Sequence, residues 1–371
     1  MIDNTPRLKS DLAFYQTTHE NELLVGTPRS RIRFSSKAIV RAIQALASGK
    51  NMAEVCELSG LNAKECQTLV GDLDGAHLLD STLSSITLTE RFISKIQERA
   101  TRINNRNGDA SFIQLQHRLA PELTHTRWLS GVQDGGVAIL SARQGASIVI
   151  SGNNRAATLL FGILLASGVS CVRFAPTSRS NATNICDADL AAGFLGVSDL
   201  GAHFHNRMDQ LVRELSLFPI LKEESAEELT AENIKPDLKV HFGEIDPELL
   251  SHWMSTGQSH LIVAEPAGGT LTVGPLVQPG STPCYRCFTL MAREQSGITG
   301  AFDIDGLPTS SKELPVFIAH YLAGLVAAEV LSFIDQGQSD LIGSVLALDY
   351  LKLCEIERAE IARHPLCGCN W

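Results

Sequence analysis

The chain has 371 residues, 44% of them hydrophobic and 19% charged, enough to bury two or three cores. Its formal charge of −10 excludes the basic surface that bulk nucleic-acid binding needs to displace counterions. The opening Met1-Ile-Asp-Asn-Thr-Pro-Arg-Leu-Lys lacks the basic flank and apolar run of a signal peptide. The apolar stretches also break off before the ~18 residues of a membrane span. The expectation is a cytoplasmic protein with no membrane contact.

The first ninety residues read as three strands, three helices and a wing. Asp11–Thr17 and Glu22–Thr27 bracket a polar turn, and Arg29-Ser-Arg-Ile-Arg-Phe alternates with Ile32 and Phe34 on one face, the period of a half-buried strand. Ser35-Ser36 is expected to cap a helix carrying Ile39, Ile43 and Leu46. A short helix around Met52–Leu58 ends at Gly60, and Asn62 caps the next, where Cys66, Leu69, Val70 and Leu73 recur at helical spacing. Leu78-Leu79 and Ser81–Thr89 then supply wing strands. This order is a winged helix-turn-helix. A DNA-reading helix wants Arg, Lys, Asn or Gln toward bases and phosphates. The third helix instead carries acidic residues and one lysine, which leaves peptide capture on the sheet edge or a plain scaffold role. Residues 91–140 read as a polar connector whose charges form a solvated face.

From residue 141 to the end the pattern becomes α/β. Ala146–Ser151 is a buried strand, Gly152-Asn-Asn-Arg a turn, the run through Leu165 an apolar helix, and Val169–Phe174 the next strand. Further strands are read at Lys239–Phe242, His260–Ala264 and Leu271–Val277, and a long apolar helix at Pro315–Phe333. A phosphate-binding Gly-x-Gly-x-x-Gly turn needs glycines where backbone amides approach phosphate. Only Gly152 is kept, with Asn154 and Ala157 in the other two places. Asparagine can enter the left-handed region and alanine still permits close packing. The acid that would bind a ribose at the end of the second strand is replaced by Arg173-Phe-Ala-Pro-Thr. Gly152, Asn154 and Arg155 therefore mark a vestigial nucleotide turn, with no dinucleotide and no ATP expected.

Cys284-Tyr-Arg-Cys287 follows a Gly280-Ser-Thr-Pro turn, and Cys367-Gly-Cys369 closes the chain. Paired cysteines at such spacing are a zinc signal, and a closed four-sulfur shell is structural. The ion would pin the tail to a loop about eighty residues upstream. His364 is the candidate to replace one sulfur. Cys56, Cys66, Cys171, Cys186 and Cys354 sit in apolar or helical settings and read as buried reduced thiols.

Val273-Gly-Pro-Leu-Val-Gln-Pro-Gly-Ser-Thr-Pro-Cys-Tyr-Arg-Cys, the terminal His364-Pro-Leu-Cys-Gly-Cys and Asp187-Ala-Asp-Leu-Ala-Ala-Gly together resemble the cyclodehydratase-associated ThiF-like proteins of the ubiquitin-activating-enzyme superfamily. The resemblance implies a ThiF-like core and a front domain that binds the leader of a ribosomal precursor peptide. The leader would add beside the third strand and pack on the third helix, which maps to Ile32, Phe34, Cys66 and Leu69. It also implies a separate YcaO-type partner that forms azolines, and a homodimer. Competent superfamily members adenylate a carboxylate with ATP and Mg²⁺, using an arginine and a metal-binding aspartate. Arg155 or Arg207, and Glu244 or Asp246, are the residues available here, and the expectation is a non-catalytic accessory chain.

Overall fold

The computed structural model describes residues 6–9, 12–16, 22–27, 30–80, 120–132, 134–152, 154–175, 184–190, 193–216, 235–264, 269–296, 313–352 and 355–369. They divide into two compact units, residues 1–141 and 142–371.

In the front unit, β1 (Arg7–Leu8) is followed by β2 (Ala13–Gln16), β3 (Leu23–Gly26) and β4 (Arg31–Phe34). The last three form an antiparallel sheet in the order β2-β3-β4, with Val25 opposite Ile32 and Leu23 opposite Phe34. Among the described residues, β4 has β3 as its one strand partner. Helices α1 (Lys37–Ala47), α2 (Met52–Ser59) and α3 (Ala63–Gly75) follow. Asn51 and Asn62 each accept the N3 amide of their helix while Glu54 and Glu65 reach back, two complete capping boxes. Ser36 precedes α1 but makes no side-chain cap bond, contrary to expectation. Gly60 ends α2 in the left-handed conformation, φ 75°, which glycine adopts without a Cβ penalty.

β1 was not foreseen. It pairs antiparallel with β5 (Leu79–Asp80), while the expected second wing strand at 81–89 lies outside the described residues. Lys9, next to β1, is buried, donates from Nζ to the Arg127 carbonyl at 3.0 Å and lies 5.2 Å from the Trp128 ring. Burial holds its ammonium below the usual lysine range, against the pull of Asp80. Residues 120–140, read above as the end of a connector, and residue 141, read as the start of the α/β part, fall within the front unit.

The second unit is built on one seven-stranded sheet. It comprises β6 (Ser147–Ser151), β7 (Cys171–Phe174), β8 (Leu238–Phe242), β9 (His260–Val263), β10 (Thr270–Val277), β11 (Ser344–Asp349) and β12 (Glu355–Glu360). The order is β12-β11-β10-β9-β8-β6-β7, parallel from β7 to β9 and antiparallel beyond. β6 feeds α5 (Arg155–Ala166) and pairs β7 on one side and β8 on the other. The carboxyl ends of β6 and β8 therefore flank a topological switch point, where open α/β sheets bind ligands.

The expectation that every apolar stretch is too short for a membrane is corrected by α9 (Val316–Gln336), whose best window has a mean hydropathy of 1.8. Length and composition alone do not make it a span. Ile318, Leu322, Val326 and Val330 are buried in the same core as Leu160 and Leu164 of α5, the setting of a core helix. Its far end is held by Arg143, at the end of α4 (Val137–Gly145), whose buried guanidinium forks onto Asp335 at 2.7 and 2.6 Å.

Candidate functional site: a thiol quartet and the turn after the first parallel strand

Two places in the second unit were singled out from sequence. The first is the cysteine quartet. Cys284 stands just before α8 (Tyr285–Ser296) and Cys287 in its first turn, while the tail returns beside β11 and β12. Cys284 and Cys367 place their Sγ atoms 3.3 Å apart, Cys287 and Cys369 3.4 Å, and Cys284 and Cys287 3.8 Å. All four lie within 4.8 Å of one another, and all but Cys369 are buried. Four thiolates around one tetrahedral zinc, with bonds of ~2.3 Å, stand ~3.8 Å apart. The quartet fits such an ion and can hold a metal. The tight Cys367-x-Cys369 gap is made possible by Gly368, φ 75°.

One of these sulfurs, Cys287, is served as an acceptor. The His364 amide donates to Cys287 Sγ at 3.3 Å. Burial by itself raises the Cys287 thiol, but backbone hydrogen bonds from His364 and Cys284 and the neighbouring thiols bring it down to about 7. Burial and the adjoining sulfurs push Cys367 and Cys369 up. A bound cation would reverse that, since coordination deprotonates a thiol outright. His364 does not take a sulfur's place. Its Nδ1 accepts the Leu366 amide at 3.1 Å, which leaves Nε2 to donate to Glu294 at 2.9 Å. It braces the knuckle from outside the ligand shell.

The second place is the turn between β6 and α5. Gly152 has φ 119°, and a Cβ there would lie 2.5 Å from the Phe242 carbonyl oxygen, so only glycine lets the ends of β6 and β8 close together. Asn154 does not enter the left-handed region. At φ −128° it is the N-cap of α5 and accepts the Ala157 amide at 2.9 Å. Ala157 is fully buried, so the third glycine position does serve close packing. The helix start that would face a phosphate faces Glu313 instead. The Arg155 amide donates to Glu313 Oε2 at 3.3 Å, and the Arg155 guanidinium donates to the Ala188 and Leu314 carbonyls. A carboxylate already occupies the positive end of the dipole.

Of the other candidates, Asp246 and Arg207 are committed and Glu244 is not. Asp246 caps α7 (Pro247–Ser255) by accepting the Glu248 amide, and Glu244 is exposed. Arg207, in α6 (Phe204–Leu215), pairs with Asp199 at 2.8 Å and Glu214 at 3.0 Å. His241, unremarked in the sequence, joins the strand ends through Ser151 Oγ at 2.8 Å and the Glu244 carbonyl at 2.9 Å. Glu313 had no local signal, because its partner lies 158 residues away.

In the front unit, Phe34, Cys66 and Leu69 are buried and Ile32 is half-buried. Phe34 and Leu69 belong to the unit's own core, with Ile32 and Val70 packed at its margin. Arg31 and Arg33 of β4 are exposed. The accessible apolar positions of the expected peptide site are thus Ile32 and Val70.

This architecture is a ThiF-like α/β fold. Among solved structures the chain is similar to E. coli MccB with ATP, at TM-score 0.65 and 14% identity over 99% of this chain and 100% of that one. It is equally similar to the microcin C7 biosynthetic enzyme MccB in complex with N-formylated MccA, at TM-score 0.65 and 14% identity over 99% of both chains. A structure of PaaA matches at TM-score 0.61 and 13% identity, over 95% of this chain and 99% of that one. No family model and no curated protein matches the chain.

Proposed function

We propose that the chain is a leader-binding scaffold. Its front unit, acting as a winged helix-turn-helix, captures a ribosomal precursor peptide, and a separate YcaO-type enzyme forms azolines in the tethered core. Tethering raises the local concentration of core residues at the partner's active site without new chemistry. Zinc in the cysteine quartet, a homodimer and a cytoplasmic location belong to the same reading. The zinc would supply no chemistry beyond fastening the tail to the loop before α8.

The observation that carries the reading is Glu313. Its carboxylate stands at the amino end of α5, where a nucleotide phosphate would have to lie, and Asn154 and Asp246 are spent on caps. Peptide capture is supported by β4, which has an edge without a strand partner among the described residues and exposes Arg31 and Arg33 beside half-buried Ile32. An extended peptide adding there would satisfy that edge. MccB in complex with N-formylated MccA is a neighbour of the same fold.

A second reading is an ATP-dependent enzyme that adenylates a peptide or sulfur-carrier carboxylate. The end-to-end likeness to MccB, crystallised with ATP, favours it. Calorimetric titration of the metal-loaded chain with ATP and Mg²⁺ separates the two. The scaffold reading expects no saturable heat, and micromolar binding would hand the lead to the adenylating enzyme. The peptide arm uses a synthetic Cys/Ser/Thr-rich precursor peptide that binds the wild-type chain. Ile32→Asp should weaken its binding at least ~10-fold while leaving metal content unchanged; unaltered affinity would remove β4 from the site.

A further inference from the structure

Of the five cysteines read as buried reduced thiols, Cys66 is buried, Cys56 and Cys171 are half-buried, Cys186 is exposed and Cys354 lies outside the described residues; the fold brings Cys56 of α2 and Cys66 of α3 together. Their Sγ atoms stand 2.7 Å apart, ten residues distant in sequence. That separation lies between the ~2.05 Å of a disulfide and the ~3.5–4.0 Å at which unbonded heavy atoms settle. It is also too short for a shared metal, since two sulfurs on one zinc stand ~3.8 Å apart. The quartet's sulfurs, at 3.3 to 3.8 Å, come nearer that spacing than this pair does.

We propose that Cys56 and Cys66 are a reversible dithiol–disulfide pair that clamps α2 to α3. The local chain is suited to it. α2 ends at left-handed Gly60, α3 starts at Asn62, and both helix starts are held by capping boxes, so the two cysteines are presented from rigid turns. Accessibility divides the roles. Cys56 is partly exposed and meets the oxidant, whereas Cys66 is 1% exposed. Burial and the hydrogen bond with Cys56 raise the Cys66 thiol to about 11, which disfavours it as first attacker.

With oxidised glutathione as the two-electron oxidant, the Cys56 thiolate attacks one glutathione sulfur and expels glutathione thiolate, leaving a mixed disulfide. Cys66 then loses its proton to solvent, attacks the Cys56 sulfur and expels the second glutathione. Two protein S–H bonds are lost, one S–S bond forms, and one glutathione disulfide becomes two thiols. Proximity makes the second step intramolecular. In a glutathione-buffered compartment the bridge opens again when the poise becomes reducing.

The test is a peptide map of the full-length, metal-loaded chain after treatment with oxidised glutathione and alkylation under denaturing conditions. Trypsin cuts at Lys64 and separates Asn51–Lys64, which holds Cys56, from Glu65–Arg91, which holds Cys66. The expected product is these two peptides joined, lighter than their sum by two hydrogen atoms, and restored to separate peptides by dithiothreitol. Exposed Cys186 should not appear in that linked species. Cys56→Ala should abolish it, and Cys66→Ala should leave glutathione stranded on Cys56. The proposal is overturned if wild-type Cys56 and Cys66 both remain alkylatable after oxidation of the folded chain, or if Cys56 holds glutathione without passing the bond to Cys66.

Discussion

The cysteine quartet and the turn after β6 sit in one unit and were both marked by short motifs, yet they have opposite fates. At the quartet all four motif cysteines converge on a shared centre, and neighbouring groups support them: the His364 amide on Cys287, the Glu294–His364 bond and the turn at Gly368. At the turn each group is used up by the protein itself. Asn154 caps its helix, Arg155 holds two carbonyls, Asp246 caps α7 and Glu313 takes the helix end. A motif survives physically when its polar groups still lack partners within the chain, or have them only in a form a ligand can improve. The quartet meets that condition because four sulfurs packed together have no better partner than a cation. The turn does not.

The largest expected effect breaks the quartet. With zinc in the quartet, as proposed above, Cys367→Ser should release the metal and destabilise the fold by on the order of 5 kcal/mol. Metal content by elemental analysis and the thermal midpoint before and after chelation check this. A variant that keeps both its metal and its midpoint would show that Cys367 is not a ligand.

Next comes the strand that joins the two places. β9 pairs with β8, which forms one wall of the turn, and with β10, which leads toward Cys284. At its start, fully buried His260 has its imidazole brought down to about 4 by burial, and its ring lies 5.3 Å from that of Trp253. The unfolded chain takes up this proton near pH 6.5 and the folded chain only near 4. The stability this group contributes is therefore whole above pH 6.5 and is lost as pH falls from 6.5 to 4, by up to about 3 kcal/mol. Urea midpoints measured across that interval should fall, and His260→Gln should flatten the slope; parallel slopes would assign the acid sensitivity elsewhere.

The smallest effects test whether the turn can be reopened. Asn154→Ala should cost about 1 kcal/mol through loss of the cap, read from chemical denaturation. Glu313→Ala should change stability by only ~0.3–1 kcal/mol, the worth of a carboxylate at a helix start. It frees the Arg155 amide, so phosphate or ATP affinity gained in this variant alone would identify Glu313 as the residue that closes the site.

Much of this was legible in the chain. The cysteine pairs were, because the ligand type and spacing of a thiolate site are local properties. So were α2 and α3, whose Gly60 stop, Asn62 cap and apolar spacing lie within the segments they shape, though the cap at Asn51 was not foreseen, and the β6–α5–β7 unit with its one indispensable glycine. β1 was missed because two residues show no period, and their strand exists only by pairing with β5. What only the tertiary structure decided was where side chains spend their polar and reactive groups. Glu313 reaches α5 across 158 residues, Cys66 meets Cys56, and His364 faces Glu294 rather than joining the sulfur quartet. Periodicity assigns a residue to a face, but packing selects its partner from the whole chain, and sequence distance carries no information about that choice.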